Sequence, residues 1–172
     1  MSLEQLSKAT FDTPLGKMTA IASKKGLWLL TFQEEFEFIQ ARLSKWFAKH
    51  EFDNSHQSIL KETKLWLDNY FSKNFKNLKL PILHLQGTPF AIRAWKALQQ
   101  VPIGTTQSYG DLAKKLGNPQ ASRAIGRVMG QNPIVILLPC HRIIGSNGAL
   151  TGYGGGLERK IWALEHEGLS IT

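Results

Sequence analysis

The sequence predicts an α+β chain in two parts, on three observations. Apolar and polar residues alternate through the first third, apolar residues recur at helical spacing further on, and glycine and proline punctuate "LQGTPF" near residue 86. Residues 1–86 are expected to form a small antiparallel sheet with helices, and residues 87–172 a mostly helical second domain.

In the first part, "KMTAIAS" and "LWLLTF" flank the turn "KKG" as a hairpin, and "TPLG" is an earlier turn. "EFEFIQARLSKWFAKH" then places Phe36, Ile39, Leu43, Trp46 and Phe47 on one helical face. "ILKETKLWLDNYF" is expected to do the same with Leu60, Leu65, Leu67 and Phe71, and "LKLPILHL" reads as a short strand or extended connector. In the second part, "FAIRAWKALQQV" is a helix with Ile92, Trp95 and Leu98 inward. Ser108 and Asp111 form a capping-box pattern opening "YGDLAKKL", which Gly117 closes. Asn118 is expected as N-cap and Pro119 as first residue of the next helix, "PQASRAIGRVMG". Its apolar face runs through Ala121, Ala124, Ile125, Val128 and Met129, and the two short helices fit a helix-turn-helix.

Composition narrows the class. The 172 residues are 42% hydrophobic and 20% charged, which is ordinary for a globular protein. "MSLEQLSKATF" lacks a secretory pattern, and no apolar run approaches the roughly 20 residues that span a bilayer. The single cysteine, Cys140, forms no internal disulfide and no thiolate zinc site by itself, so no membrane role and a reducing cytoplasm are expected. Net charge is +8, and residues 87–172 carry nine Lys and Arg against four Asp and Glu, compared with twelve against nine in residues 1–86. That balance suits either a polyanionic partner or simple solubility.

The outer face of the second helix of the pair presents Ser122, Arg123, Gly126, Arg127 and Gly130. Helices that read the major groove carry long polar side chains; here the backbone itself can approach DNA, which favours shallow minor-groove contact. The competing explanation is close packing of small residues inside the domain.

Cys140 follows the buried-type run "PIVILL", expected to be extended, and Pro139. It is either inert core filling or a nucleophile. Adjacent His141 and Arg142 favour the nucleophile, since a nearby base or cation populates the thiolate. Side chains diverge along an extended segment, so the base acts on sulfur directly or through a water. Glu165 and Glu167, in the last turn of "LERKIWALEHEG", are both candidates to orient that base, and spacing does not choose between them. The loop "GSNGALTGYGGG" matches neither G-x-G-x-x-G nor a P-loop, so no nucleotide cofactor is expected.

"LPCHRII", with "SYGDLA", "ASRAIG" and "QNP" before it and "GYGGGLERK" and "HEG" after it, resembles the O6-alkylguanine-DNA alkyltransferase family. The match runs from about Phe90 to Gly168; the first half has only general similarity. The resemblance implies an RNase H-like N-terminal domain and a winged-helix-like motif in the second. It implies repair by direct damage reversal: O6-alkylguanine (with O4-alkylthymine a further candidate) is flipped from duplex DNA, and its alkyl group passes irreversibly to Cys140, once per molecule.

By the same resemblance His141 is the base, acting through a water, Glu167 rather than Glu165 its orienting carboxylate, and Asn132 the brace of the turn. Arg123 is the finger that fills the vacated stack, Tyr109 meets the flipped base, and Met129 walls its pocket. The carbonyls of Cys140 and Ile143 accept from the guanine amino group. Gly154 stands where some members have serine, with its amide left to serve the substrate oxygen. Asn118 and Ser146 complete the expected substrate and DNA contacts. No cofactor and no metal are implied, since family zinc sites need cysteines this chain lacks, although His84 is available. The partner is double-stranded DNA containing O6-alkylguanine, met from the minor groove by a monomer. Alkyltransferase-like relatives lack the acceptor, so Cys140 argues against that class. A DNA-binding regulator and a thiol hydrolase are the competing activities.

Overall fold

The turn "TPLG" reverses the chain because Pro14 fixes its own φ and Gly16 takes a φ of 112°. Thr13 locks it: its Oγ1 donates to the Gly16 carbonyl at 2.7 Å and accepts from the Leu15 amide at 3.2 Å. The flanking runs become β1 (Glu4–Thr13) and β2 (Gly16–Ser23), paired antiparallel, and a turn at Lys24 and Lys25 returns the chain as β3 (Gly26–Phe32). The computed structural model describes residues 2–172; the side chain of Phe36, expected on the apolar face of the first helix, lies outside the described residues.

The expected antiparallel sheet has one parallel edge. β4 (His50–Phe52) pairs parallel to β1, giving the order β3-β2-β1-β4. Three residues are too short a run for periodicity to register. Helix α1 (Phe36–Trp46) brings Ile39, Leu43 and, just beyond it, Phe47 onto Leu6, Ile21, Trp28 and Leu29. Burying each such side chain contributes about 1.5–3 kcal/mol.

Helix α2 (Gln57–Phe71) packs against β1, β2 and β3 through Leu60, Thr63, Trp66, Leu67 and Tyr70. Leu65, expected on that face, is instead 62% exposed. It stands five residues from Leu60, about 140° around the helix, so it points away while Trp66 and Tyr70 complete the stripe. Beyond α2 the chain runs extended beside β3: Leu83 bridges Leu27, and the Leu27 amide donates to the Ile82 carbonyl at 2.7 Å. This close pass requires glycine at position 26, where φ is 134° and a Cβ would stand 2.5 Å from the Ile82 carbonyl oxygen.

The chain separates into two compact units, Met1–Leu85 and Gln86–Thr172. The second opens with α3 (Pro89–Leu98), capped by Thr88, whose Oγ1 accepts from the Ala91 amide at 3.2 Å. Its buried stripe is Ala91, Ala94, Trp95 and Leu98; Ile92, expected inward with them, is only half-buried. Trp95 Nε1 donates to the Val128 carbonyl at 3.0 Å, tying α3 to the later helix that carries Val128.

Short strand β5 (Gln107–Ser108) leads into α4 (Tyr109–Lys115), where the Ser108 hydroxyl donates to Asp111 Oδ2 at 2.7 Å and accepts from the Asp111 amide at 3.0 Å. The following helix, α5 (Ser122–Gly130), starts later than expected, with Ala121 rather than Asn118 at its N-cap. Residues 118–121 form a turn instead, closed by the Ala121 amide on the Asn118 carbonyl at 3.0 Å. Asn followed by Pro is equally suited to the first two places of a β-turn, and here the turn wins. The faces of α5 divide as the spacing predicts: Ile125, Val128 and Met129 are buried, while Arg123, Arg127 and Gly130 are exposed. The unit closes with β6 (Ile143–Ile144) and α6 (Leu157–His166). No helix among the described residues is long and apolar enough to cross a membrane.

Candidate functional site

Cys140 is presented by a tight, buried fold of chain rather than by an extended strand. "PIVILL" was expected to be extended, but Ile136 takes a φ of 71° and the Leu138 amide returns to the Ile134 carbonyl at 2.9 Å. A β-branched residue in the left-handed region costs roughly 1–3 kcal/mol and persists only where its surroundings dictate it. Asn132 supplies that constraint. Its Oδ1 accepts from the Ile134 amide at 2.9 Å, and its Nδ2 donates to the Leu138 carbonyl at 2.7 Å and to Cys140 Sγ at 3.1 Å. A donor held against sulfur favours the thiolate over the thiol.

Cys140–Arg142 then form a single 3₁₀ turn, which aims His141 and Arg142 at the C-terminus of α6. His141 Nε2 lies 2.7 Å from Glu167 Oε1, and Arg142 reaches the same carboxylate through Nε at 2.8 Å and a terminal nitrogen at 2.9 Å. The remaining arginine nitrogen donates to the Val101 carbonyl at 2.6 Å. Arg142 was expected to act on the thiol; its charge is spent on Glu167. Glu167 stays in place because α6 ends in a Schellman motif: Gly168 at φ 97° donates to the Glu165 carbonyl and Leu169 to that of Leu164. Glu165 is exposed.

Burial would raise the Glu167 pKa, but hydrogen bonds and charge from His141 and Arg142 outweigh it and hold it at about 2. Burial pushes His141 below its ordinary value, against the upward pull of Glu167. The imidazole is therefore neutral near pH 7. An ionised carboxylate only accepts, so Nε2 carries the proton and Nδ1 is left with its lone pair. Nδ1 is buried with no hydrogen-bond partner among the described residues.

A residue outside the expected set is also buried here. Lys160 on α6 is fully buried and donates from Nζ to the Ile143 carbonyl at 2.6 Å and to the Thr151 carbonyl at 2.9 Å. It thereby staples the chain after Cys140 to the glycine-rich loop. Burial lowers its pKa, and the Cys140 charge raises it, so the two groups sense each other. The signal was available in the sequence: positions 160, 163, 164 and 167 share one face of α6, and Ala163 and Leu164 are its apolar members.

The β5–β6 pairing, Ser108 opposite Ile144, places the start of α4 beside the strand that follows Cys140–Arg142. There the outer face of α5 and the glycine-rich loop enclose a cleft of about 720 Å³. Tyr109, Arg123, Ser146 and Gly154 line it, as do Ser122 and Gly126 of the expected outer face and, outside the expected set, Tyr153. Thr151 Oγ1 donates to the Tyr109 hydroxyl at 3.4 Å, and a Cβ on Gly154 would meet only the Gly130 carbonyl, at 3.9 Å. Cys140 and Met129 are each 5% exposed and are not lining residues, and Asn118 is exposed on the α4–α5 turn. The Ile143 carbonyl already accepts from Lys160, and that of Cys140 accepts from the Ile143 amide. Among the described residues, no group of three or more His, Cys, Asp or Glu side chains is arranged to hold a metal ion.

Chemically, this is a protein that carries a cysteine braced by Asn132 in the same unit as a helix-turn-helix. Residues 89–169 match the DNA binding domain of 6-O-methylguanine DNA methyltransferase, and residues 6–83 match the ribonuclease-like domain of the same family. The chain belongs to that family. A methylated-DNA–protein-cysteine methyltransferase of Methanosarcina acetivorans is 38% identical over 93% of this chain and 97% of its own length. One from Shigella flexneri is 38% identical over 95% and 96%. Among solved structures, Mycobacterium tuberculosis OGT in complex with DNA superposes with a TM-score of 0.78 at 36% identity, covering 95% of this chain and 92% of that one.

Proposed function

We propose that this chain repairs alkylated DNA by moving the alkyl group onto Cys140. The observation that carries the proposal is the buried set of Asn132 on the sulfur and His141 on Glu167. The thiol proton passes through a water to His141 Nδ1, and Glu167, kept ionised by Arg142, stabilises the imidazolium that results. Sulfur attacks the alkyl carbon, forming the S–C bond as the C–O6 bond of guanine breaks. The electron pair leaves on guanine, and Tyr109 supplies a proton to a ring nitrogen, which makes guanine a better leaving group. The product is a thioether that no group in this site cleaves, so each molecule acts once. The donor is the DNA itself, and no cofactor enters.

O6-alkylguanine is stacked inside the duplex, so chemistry requires extrusion at a cost of a few kcal/mol. Arg123, exposed on a face of small residues, is assigned the role of filling the vacated stack from the minor groove. The cleft of about 720 Å³ beside it falls within the range of small-ligand sites and is assigned to the extruded base, with Ser146 and the Gly154 amide as polar contacts. Met129 backs this region from the core, Ile143 offers its carbonyl, and Asn118 meets the backbone at the helix turn. A monomer in a reducing compartment suffices, because every group invoked belongs to one unit.

Intact-mass measurement after mixing with duplex DNA bearing O6-methylguanine tests the proposal. One added methyl per molecule, located on Cys140, is expected. An unchanged mass under conditions where the DNA is bound would reject it.

A further inference from the structure

The charge of this chain is unevenly placed. From Asn69 to Leu157 the sequence holds ten Lys and Arg and one carboxylate, Asp111; the remainder holds eleven Lys and Arg against twelve Asp and Glu. The whole excess of cations thus lies in one stretch. Seven of its ten cations belong to the second unit, where the helix pair and Arg142 account for five. The other three, Lys73, Lys76 and Lys79 of "KNFKNLK", lie in the first unit, outside every site described above.

All three are exposed, and none has an ion-pair partner among the described residues. The loop that carries them is built rather than slack. It closes α2 with a Schellman motif, the Asn74 amide on the Asn69 carbonyl at 2.8 Å and the Lys73 amide on that of Tyr70 at 3.1 Å. Lys73 holds the left-handed position of that motif, at a φ of 59°, where glycine is the less strained choice. Side-chain amides continue the bracing: Asn74 Nδ2 donates to Asn69 Oδ1, and Asn77 Nδ2 to Asn74 Oδ1, each at 3.0 Å. Phe75 anchors the loop on Tyr70, with ring centroids 5.8 Å apart.

The helix dipole of α2 accounts for a cation at Lys73 but not at Lys76 or Lys79, which lie beyond the last turn. What remains is a preset array of lysines interleaved with asparagine amides. Lysine charge and side-chain amides are the groups that proteins place on nucleic-acid phosphates. We propose that the Lys73–Lys79 loop is a second contact for the phosphates of duplex DNA, independent of the helix pair. The proposal rests on DNA being the partner of this chain.

The salt dependence of binding tests it. Each phosphate neutralised contributes about 0.9 to the slope of log affinity against log salt. With a labelled, undamaged duplex between about 50 and 200 mM salt, replacing Lys73, Lys76 and Lys79 with Gln in the full chain is expected to lower that slope by about 2.7. Replacing all three with Arg is expected to retain it, which separates charge from folding. Replacing Lys24, Lys25 and Lys49 with Gln removes the same charge elsewhere in the unit and is expected to change the slope by less than about 1. An unchanged slope in the loop variant, as a loop serving an acidic protein would give, overturns the proposal. So does a change no larger than the control's, or one confined to duplex RNA. Methyl transfer from free O6-methylguanine to the unaltered protein is measured alongside; its failure would sink the alkyl-transfer reading without bearing on the loop.

Discussion

Replacing Glu167 with Gln removes one charge from the most buried ionic network in the second unit, and its cost follows from the geometry. The carboxylate, fully buried, is held at about 2 against an ordinary 4.5. That gap corresponds to about 3 kcal/mol of stability at neutral pH. Breaking a buried pair by removing one partner costs a similar ~3–5 kcal/mol, because Arg142 keeps its charge without a counterion. The sign of the pH dependence is fixed as well. A depressed carboxylate contributes fully above 4.5, and the contribution is lost as pH falls toward about 2. His141 and His84, both lowered by burial, lose their contributions earlier, as pH falls below their ordinary 6.5. Urea unfolding followed by tryptophan fluorescence from pH 8 to pH 3 should show both phases in the wild type. Glu167→Gln should be weaker by about 3 kcal/mol at pH 7, with the gap closing between 4.5 and about 2. Should this variant fail to fold at all, Glu167→Asp keeps the charge and should recover part of the loss. Curves that stay parallel through the acid window would refute the assignment of the carboxylate as the charged centre of the network.

Three further outcomes follow from the same geometry. Arg123→Ala should slow transfer from duplex DNA by roughly tenfold or more while sparing transfer from the free base, since only the duplex requires extrusion; equal losses in the two assays would remove its role in the stack. Lys160→Met should slow transfer from the free base by about tenfold, the worth of one charge-assisted hydrogen bond, by freeing the Ile143 and Thr151 carbonyls. Its stability should also fall by about 1–3 kcal/mol, because the buried Ile143 carbonyl is left without its donor; an unaltered transfer rate in the folded variant would show that the staple does not matter. Gly26→Ala should cost about 1–3 kcal/mol in equilibrium unfolding, as a Cβ there meets the Ile82 carbonyl in a left-handed backbone, and a neutral effect would mean the connector can shift.

What was legible in the sequence was whatever repeats with a period. Strands β1–β3, the helices and the split faces of α5 all follow from spacing, and the capping box of α4 follows from two residues three apart. The parallel edge strand has too few residues to show a period, and Leu65 lies about 140° around α2 from Leu60, off the buried stripe. The difference nearest the site has another cause. "PIVILL" has the composition of a strand, yet it turns at Ile136 because Asn132, two residues before Ile134, takes up the backbone groups that a strand partner would otherwise satisfy. Local propensity cannot register a side chain that replaces a hydrogen-bonding neighbour.

The same substitution of side chain for scaffold explains how residues far apart in the sequence meet at one buried network. His141 and Arg142 are adjacent, and both converge on one carboxylate 25 or 26 residues away. In an extended segment they would diverge. In the 3₁₀ turn they do not, and that turn exists only because the chain has already doubled back at Ile136. The ionic network therefore depends on a strained isoleucine, and the strain depends on the asparagine that also donates to sulfur. Changing Asn132 to an isosteric Asp or Leu should accordingly disturb sulfur, histidine and arginine together, whereas Glu167→Gln leaves the turn and its contact on sulfur in place.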